Sequence, residues 1–433
     1  MPSGLTKLVQ RVASVQSDEA ATVMWSFVYF FCLLCAYYII RPMRDEMGIL
    51  GGVDNLQWLF TATLVVMAAA VPLYGWISSV FPRQVFLPWV YGFFIINLLL
   101  FHVLIGDDPA GAVTARAFFV WTSVFNLFIV SVFCSFMADI YSNEQARRLF
   151  GLIAAGGTAG ALAGPLLTAS LVQSLGANNL LLVSAALLGL ATLCIRQLVR
   201  LQQPHGEATS PANGDSLGGS AWEGFSLVLR SPYLIAICLL MLLFTTLATF
   251  LYFMQAEIIR DSFDDSNQRT AVFAAMDFAV NALTLLFQLA LTARLIKWLG
   301  LAMTLALVPL LLALGFVAIG LAPVLAVLVM VQVIRRAGNY AIMRPAREML
   351  YVVLSRREKY KAKAFIDTFV YRGGDAVSAW VFAAVRGLGL ELSAIALLSA
   401  PIALLWAVVS FKLGKRQSLL AAAASTAPRS IDR

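Results

Sequence analysis

Charge is what this 433-residue chain has least of. Asp, Glu, Lys and Arg make up 12% of it, against roughly 25% in a soluble globular protein. So few charges cannot cover the surface of a water-soluble domain. Histidine is scarcer still: His102 and His205 are the only two, too few for a histidine metal site or proton relay. The five cysteines (Cys32, Cys35, Cys134, Cys194 and Cys238) all lie in apolar runs, which excludes a disulfide framework. Cys32 and Cys35 form a CxxC with no other ligand nearby, so they read as small buried hydrophobes. There is no Ser/His/Asp set, no metal cluster and no aqueous loop large enough to hold one. Neither an enzyme nor a bound metal or cofactor is expected. What the chain has in quantity is apolar surface: residues of the set AVILMFWYC make up 61%, and mean hydropathy is +0.84. The expected class is an all-α polytopic membrane protein, embedded in a lipid bilayer and without a nucleic-acid partner.

A hydrocarbon core takes roughly 20 apolar residues per helix. Twelve stretches qualify, at 22–42, 56–78, 84–105, 112–138, 149–173, 179–198, 232–256, 270–293, 301–320, 322–346, 362–386 and 392–412. The longest polar stretch, QQPHGEATSPANGDSLGGSA at 202–221, is rich in Gly, Pro and Ser and reads as a flexible linker. The expected organisation is a cytoplasmic amphipathic N-terminus (1–21), a six-helix half (22–200), a linker (201–231), a second six-helix half (232–416) and a disordered tail (417–433). Leu5, Leu8, Val9, Val12 and Val15 give the N-terminus the spacing of a surface-lying helix. The first span lacks a small-residue cleavage site and is not expected to be a removed signal peptide.

The net charge of +8 is mostly an orientation signal. With the N-terminus cytoplasmic, twenty Lys and Arg fall on cytoplasmic segments, six on outer ones, and five in or beside spans. The outer loops are acidic, with Asp107, Asp108, Asp261, Asp264 and Asp265. Both termini are therefore expected inside.

A charge at mid-bilayer costs about 2.5–3.5 kcal/mol on insertion scales, so polar residues within spans need a cavity or a partner. In the eighth span Asp277, Asn281, Thr284 and Gln288 form one helical stripe. In the eleventh, Lys361, Thr368, Arg372 and Asp375 form another, and Arg372 and Asp375 can pair at i,i+3. Gln332, Arg336, Asn339 and Arg347 share a face of the tenth, with Arg335 beside it. Thr245, Thr249 and Tyr252 share a face of the seventh; Tyr37, Arg41 and Arg44 share one of the first, which continues RPMRDEMG and so includes Asp45. Mutual pairing that merely orients helices is the plain alternative. It fits Arg335 and Arg336 least: two adjacent cations without an acid within a turn call for an anion, on another helix or on a solute. Gly156, Gly160 and Gly164 in GGTAGALAGP repeat at four, a close-packing face; a phosphate loop would need the missing Lys-Ser/Thr ending.

Six spans, a linker and six spans suggest duplication. SNEQARRLFG after the fourth span matches SRREKYKAKA after the tenth at an offset of 214, setting Glu144 and Arg147 opposite Glu358 and Lys361. RPAREM (344–349) echoes RPMRDEM (41–47). These echoes agree with a major-facilitator-like architecture, although its usual loop signature keeps only Gly75 and Arg83 here. YYIIRPMRDEMG (37–48) and RRAGNYAIMRPAREMLYVVLSRREKYKAKAFIDTFVYRGGDA (335–376) resemble the ATP/ADP antiporter-like family, the nucleotide transporters of plastids and intracellular bacteria and their shorter bacterial relatives. The resemblance implies a monomeric carrier in a bacterial cytoplasmic membrane whose basic residues hold phosphates, here Arg44, Arg336, Arg347, Lys361 and Lys363. Asn339 stands where nucleotide carriers tend to have Lys, and Trp121–Asn126 lacks their Glu.

Three functions are weighed. The first is a secondary transporter of an anionic, phosphorylated solute, with Arg44, Arg336, Asn339, Arg347, Lys361, Lys363 and Arg372 binding it. Arg41, Asp45, Glu144, Arg147, Asp277, Asn281 and Asp375 would couple or gate. The second is a flippase or carrier for an anionic lipid on the same scaffold. The third is a non-transporting scaffold or receptor.

Overall fold

The structure is a computed structural model that describes residues 16, 19–80, 83–106, 111–202 and 221–426. The amphipathic segment 3–15, most of the linker, Asp107 and Asp108 and the tail beyond 426 lie outside the described residues. Every regular element among the described residues is helical. In chain order the helices are α1 (Ala20–Leu50), α2 (Leu56–Val80), α3 (Arg83–Ile105), α4 (Ala112–Ile140), α5 (Asn143–Leu175), α6 (Ala177–Gln202), α7 (Ala221–Arg230) and α8 (Pro232–Ser262). They continue as α9 (Ser266–Ala290), α10 (Thr292–Leu321), α11 (Leu325–Gly338), α12 (Arg344–Leu350), α13 (Arg356–Phe365), α14 (Tyr371–Gly387) and α15 (Leu392–Thr426).

Among the described residues, eleven helical stretches are long and apolar enough to cross a membrane, so the protein is a multi-pass membrane protein. The expected eleventh span is the one that does not qualify. Residues 356–387 are helical throughout, with a π-helical turn at Ile366–Val370 between α13 and α14. Lys361, Lys363, Asp367, Arg372 and Asp375 are what take this stretch out of the apolar class. Two other expectations shift. α15 continues to Thr426, so 417–426 is helix rather than disordered tail. Within the expected linker, 221–230 folds as α7, which packs against α13 through Phe225 and Phe365, ring centroids 5.7 Å apart.

The chain divides into two compact units: Met1–Pro211 with Phe263–Phe278, and Ala212–Ser262 with Ala279–Arg433. The first three turns of α9 thus belong with the first unit and the remainder with the second. In the first unit α1 is central, packing on α4, α5 and α6. Its contact with α5 is where the glycine repeat acts. A methyl carbon added at Gly156 or Gly160 would sit 2.4 Å from the carbonyl oxygen of Phe27 or Phe31, and one at Gly164 would sit 2.7 Å from that of Cys35. Only glycine lets the two backbones approach that closely. Cys32 and Cys35 are buried in the same core, as expected of small hydrophobes.

In the second unit α10 packs on α15, and α8 packs on α14 and α15. α10 contains a break at Gly300, whose φ of 70° is the left-handed conformation glycine tolerates. The Thr304 hydroxyl donates to the Gly300 carbonyl at 2.7 Å, closing the gap.

Ser142 and Ser355 each begin a helix with a reciprocal capping box, to Gln145 and Glu358 respectively. These matched caps set the internal repeat at an offset of 213, one residue less than the sequence match suggests. Arg148, not Arg147, then corresponds to Lys361.

Candidate functional site

Most of the expected site residues gather in three places. The first is on the second unit, where α11 brings Gln332, Arg335 and Arg336 into its last two turns. Gln332 is buried and donates its amide hydrogen to Gln255 on α8. Arg335 donates from Nε and Nη2 to the Gln332 side-chain oxygen, at 3.1 and 2.9 Å. The Arg335 guanidinium therefore ends on a neutral amide. Asp375 lies near enough for its charge to act on it. Arg336, adjacent, is 8% exposed. On α14, Asp375 accepts from the Thr249 hydroxyl at 3.4 Å. Arg372 stacks over the Tyr371 ring, 5.7 Å from its centroid. Arg372 and Asp375 thus turn to different partners, and the i,i+3 ion pair that their spacing allows is not formed.

A π-helical turn, Asn339–Met343, follows α11 directly and carries Asn339. Its cause is legible in the chain. Pro345 has no N–H to offer the carbonyl of Ala341 four residues back, and the Thr292 hydroxyl donates to that carbonyl at 2.8 Å instead. Each π turn therefore adjoins a basic cluster, in keeping with the frequency of such turns at functional sites.

The second place, also on the second unit, lies around Arg347. Its Nη1 donates to the Met241 sulfur at 2.9 Å, and its Nη2 is 3.9 Å from Asp367. Its Nε is buried without a hydrogen-bond partner, as is the Tyr351 hydroxyl. Lys363 pairs with Glu348 and lies 5.8 Å from the Tyr351 ring centroid. Lys361 sits on the same helix, α13.

The third place is on the first unit, where the carboxyl-terminal end of α1 meets the start of α9. Arg41 is 3.6 Å from Asp277, which is 1% exposed. Arg44 pairs with Asp45 at 3.2 Å and lies over the Phe119 ring at 4.0 Å. The strongest contact is one the sequence reading did not anticipate. Arg269 Nε lies 3.1 and 2.9 Å from the two Glu46 oxygens, and Nη2 donates to Glu46 Oε1 at 2.7 Å. Nη1 donates to the carbonyls of Phe263 and Asp264 at 2.8 and 3.1 Å. The Ala177 N–H donates to the Asn267 side chain at 3.0 Å, adding a second tie. These contacts bind residues 263–278 to the first unit.

The predicted site residues are thus partly assembled. Arg336 and Asn339 flank the first π turn, with Arg372 and Asp375 on α14 beyond the second. Arg347 and Lys363 gather around Tyr351. Arg41, Arg44, Asp45 and Asp277 share the α1–α9 junction, and Asn281 lies one turn beyond Asp277 on α9. Glu144 and Arg147 are exposed and join none of these clusters. Their neighbours do the work there: Gln145 and Arg148 both donate to Glu19, at 3.0 and 2.7 Å. Gln255 was within reach of the sequence, being one turn further along the Thr245–Thr249–Tyr252 stripe. Glu46 and Arg269 were not, because each lies beside the membrane end of its span and reads as a loop charge.

Two helical units in a membrane, with basic clusters seated inside the helices, define a solute carrier. The family is plain from comparison: residues 26–359 match the Major Facilitator Superfamily, and the chain belongs to it. Among curated relatives, the chain is 22% identical to ADP,ATP carrier protein 1 of Chlamydia muridarum, over 93% of this chain and 89% of that protein. The same identity and coverage hold for the protein of that name from Chlamydia trachomatis. Among solved structures, the POT family transporter PepTSo aligns with a TM-score of 0.63 at 13% identity, covering 92% of this chain and 98% of that one. The nucleoside transporter NupG aligns with a TM-score of 0.57 at 14% identity, over 93% and 100%. These likenesses establish the fold of the family's transporters.

Proposed function

We propose that the protein is a secondary transporter that works by alternating access and moves an anionic, phosphorylated solute, with nucleotide exchange as the leading case. The observation that carries this is the Arg335–Arg336 pair. Two guanidinium groups sit side by side in the last turn of an apolar helix, and Arg335 donates to a neutral glutamine. Guanidinium forks suit phosphate oxygens. Arg336 and Arg372 hold the solute in this reading. Asp277 and Asp375 are the acids available for coupling. The 22% likeness to ADP,ATP carriers supports a nucleotide. Charge partition supports both termini on the cytoplasmic side of a bacterial inner membrane.

Proteoliposomes loaded with ADP and supplied with labelled ATP test this. Exchange that is lost in Arg336→Ala or Arg372→Ala supports the assignment; full exchange in both variants removes it.

One observation favours a second reading, a carrier for an anionic amphiphile. A cavity of about 610 Å³ on the first unit, between α2, α3 and α4, is lined wholly by apolar side chains including Val66, Leu73, Trp89, Phe93 and Val124. An acyl chain fits such a surface. Lipid that co-purifies, and is released by Val124→Trp together with activity, would favour that reading.

A further inference from the structure

Arg347 is poorly satisfied by its neighbours. Its side chain is 12% exposed, so water cannot solvate it fully. One N–H points at the Met241 sulfur, a weak acceptor. Its Nε has no partner at all. The nearest carboxylate, Asp367, stands 3.9 Å away, beyond hydrogen-bonding range. Close by, Tyr351 is fully buried and its hydroxyl is also without a partner. Lys363 completes the group but leans on Glu348. Buried donors left unpaired are costly, because they give up water without gaining a protein partner. Two such donors beside two cations mark a place built for an anion that Asp367 fills poorly.

The position matters as much as the chemistry. Arg347 touches α8 at Met241, and the Arg335 network touches it at Gln255. Fourteen residues of helix at 1.5 Å each set these contacts roughly 21 Å apart. That is too far for one phosphate group to bridge, so the two clusters are separate stations.

Resting on the transporter reading above, we propose that Arg347, Tyr351 and Lys363 form a second anion station, and that Asp367 is its internal counter-ion. A phosphoryl or carboxylate group of the solute displaces Asp367 and takes the free Arg347 Nε and Tyr351 hydroxyl. Asp367 retakes the guanidinium when the solute leaves. A fixed internal competitor of this kind keeps the station from holding its anion too tightly for release.

Thermal unfolding of the purified protein titrated with inorganic phosphate tests this. Asp367→Asn should need several-fold less phosphate than wild type for half-maximal stabilisation, because the competitor is gone. The gain should vanish in Arg347→Gln/Asp367→Asn, which separates a local effect from the general rise in positive charge. Tyr351→Phe should need several-fold more phosphate while keeping its fold. Equal phosphate dependence in wild type and Asp367→Asn, including none in either, overturns the proposal. So does a gain that survives removal of Arg347. The parent reading fails separately, through full exchange in both Arg336→Ala and Arg372→Ala.

Discussion

Removing the Glu46 carboxylate isolates the one ion pair whose strength can be worked from its geometry. The pair is nearly dry, with side-chain exposures of 9% for Arg269 and 1% for Glu46. Three short contacts run from Arg269 to the carboxylate, and two more N–H groups reach backbone carbonyls. Breaking a buried pair by removing one partner costs about 3–5 kcal/mol, because the other charge stays buried. The two carbonyls keep partial solvation of Arg269, which sets the expected cost of Glu46→Ala near the lower end, about 3 kcal/mol. The loss should be local at first, since Glu46 anchors residues 263–278 to the first unit. A 3 kcal/mol change corresponds to about a hundredfold in an opening equilibrium, so amide exchange across 266–278 should speed up by about that factor. Removing both charges in Glu46→Met/Arg269→Met should restore most of the protection, as apolar replacements of buried pairs do. Mass spectrometry of exchanged peptides from detergent-solubilised protein provides the readout. Unchanged exchange in Glu46→Ala would show that residues 263–278 are anchored by something other than this pair.

Other predictions follow from single contacts. Gly160→Leu should cut the yield of folded protein sharply, because its side chain meets the Phe31 carbonyl, whereas Gly189→Ala, with open space around it, should melt within about a degree of wild type. Cys32→Ala/Cys35→Ala should keep exchange activity and lose only packing, as measured by transport and melting together. Burial pushes the Glu19 carboxyl up, but hydrogen bonds from Gln145 and the Gln16 N–H and the Arg148 guanidinium outweigh it and hold the group below its usual range. Its stabilisation is therefore complete above the unfolded carboxylate pKa and fades as pH falls through the lower folded value; Glu19→Gln should lose that part of the acid sensitivity of the melting curve.

The membrane class, the spans and the glycine face were legible because each follows from local composition or a short repeat. Gly156, Gly160 and Gly164 sit at a spacing that has one meaning in an apolar helix. The expected eleventh span is helical, but Lys361, Lys363, Asp367, Arg372 and Asp375 keep it out of the apolar class that the other spans share. Partners were less legible. Arg372 and Asp375 have the spacing of an ion pair, yet each finds an aromatic or hydroxyl neighbour on a path the sequence does not contain. Arg147 and Arg148 differ only by which side of the helix faces Glu19, and a one-residue shift in the repeat decides it. The π turns were out of reach for a related reason: Pro345 announces a missing N–H, but only the fold shows Thr292 supplying the substitute. Glu46 and Arg269 are 223 residues apart, and no periodicity joins them.

The proposed transport depends on basic residues of the second unit holding a phosphorylated solute. Its most direct test is binding of labelled ATP and ADP to purified protein, wild type against Arg335→Gln/Arg336→Gln, with folding checked by melting. Wild type should bind saturably and the double variant at least tenfold more weakly, since two charge-assisted contacts at about 1.5–3 kcal/mol each are removed. Equal affinity in both proteins, or a panel of phosphorylated solutes that leaves wild type unbound, would contradict it.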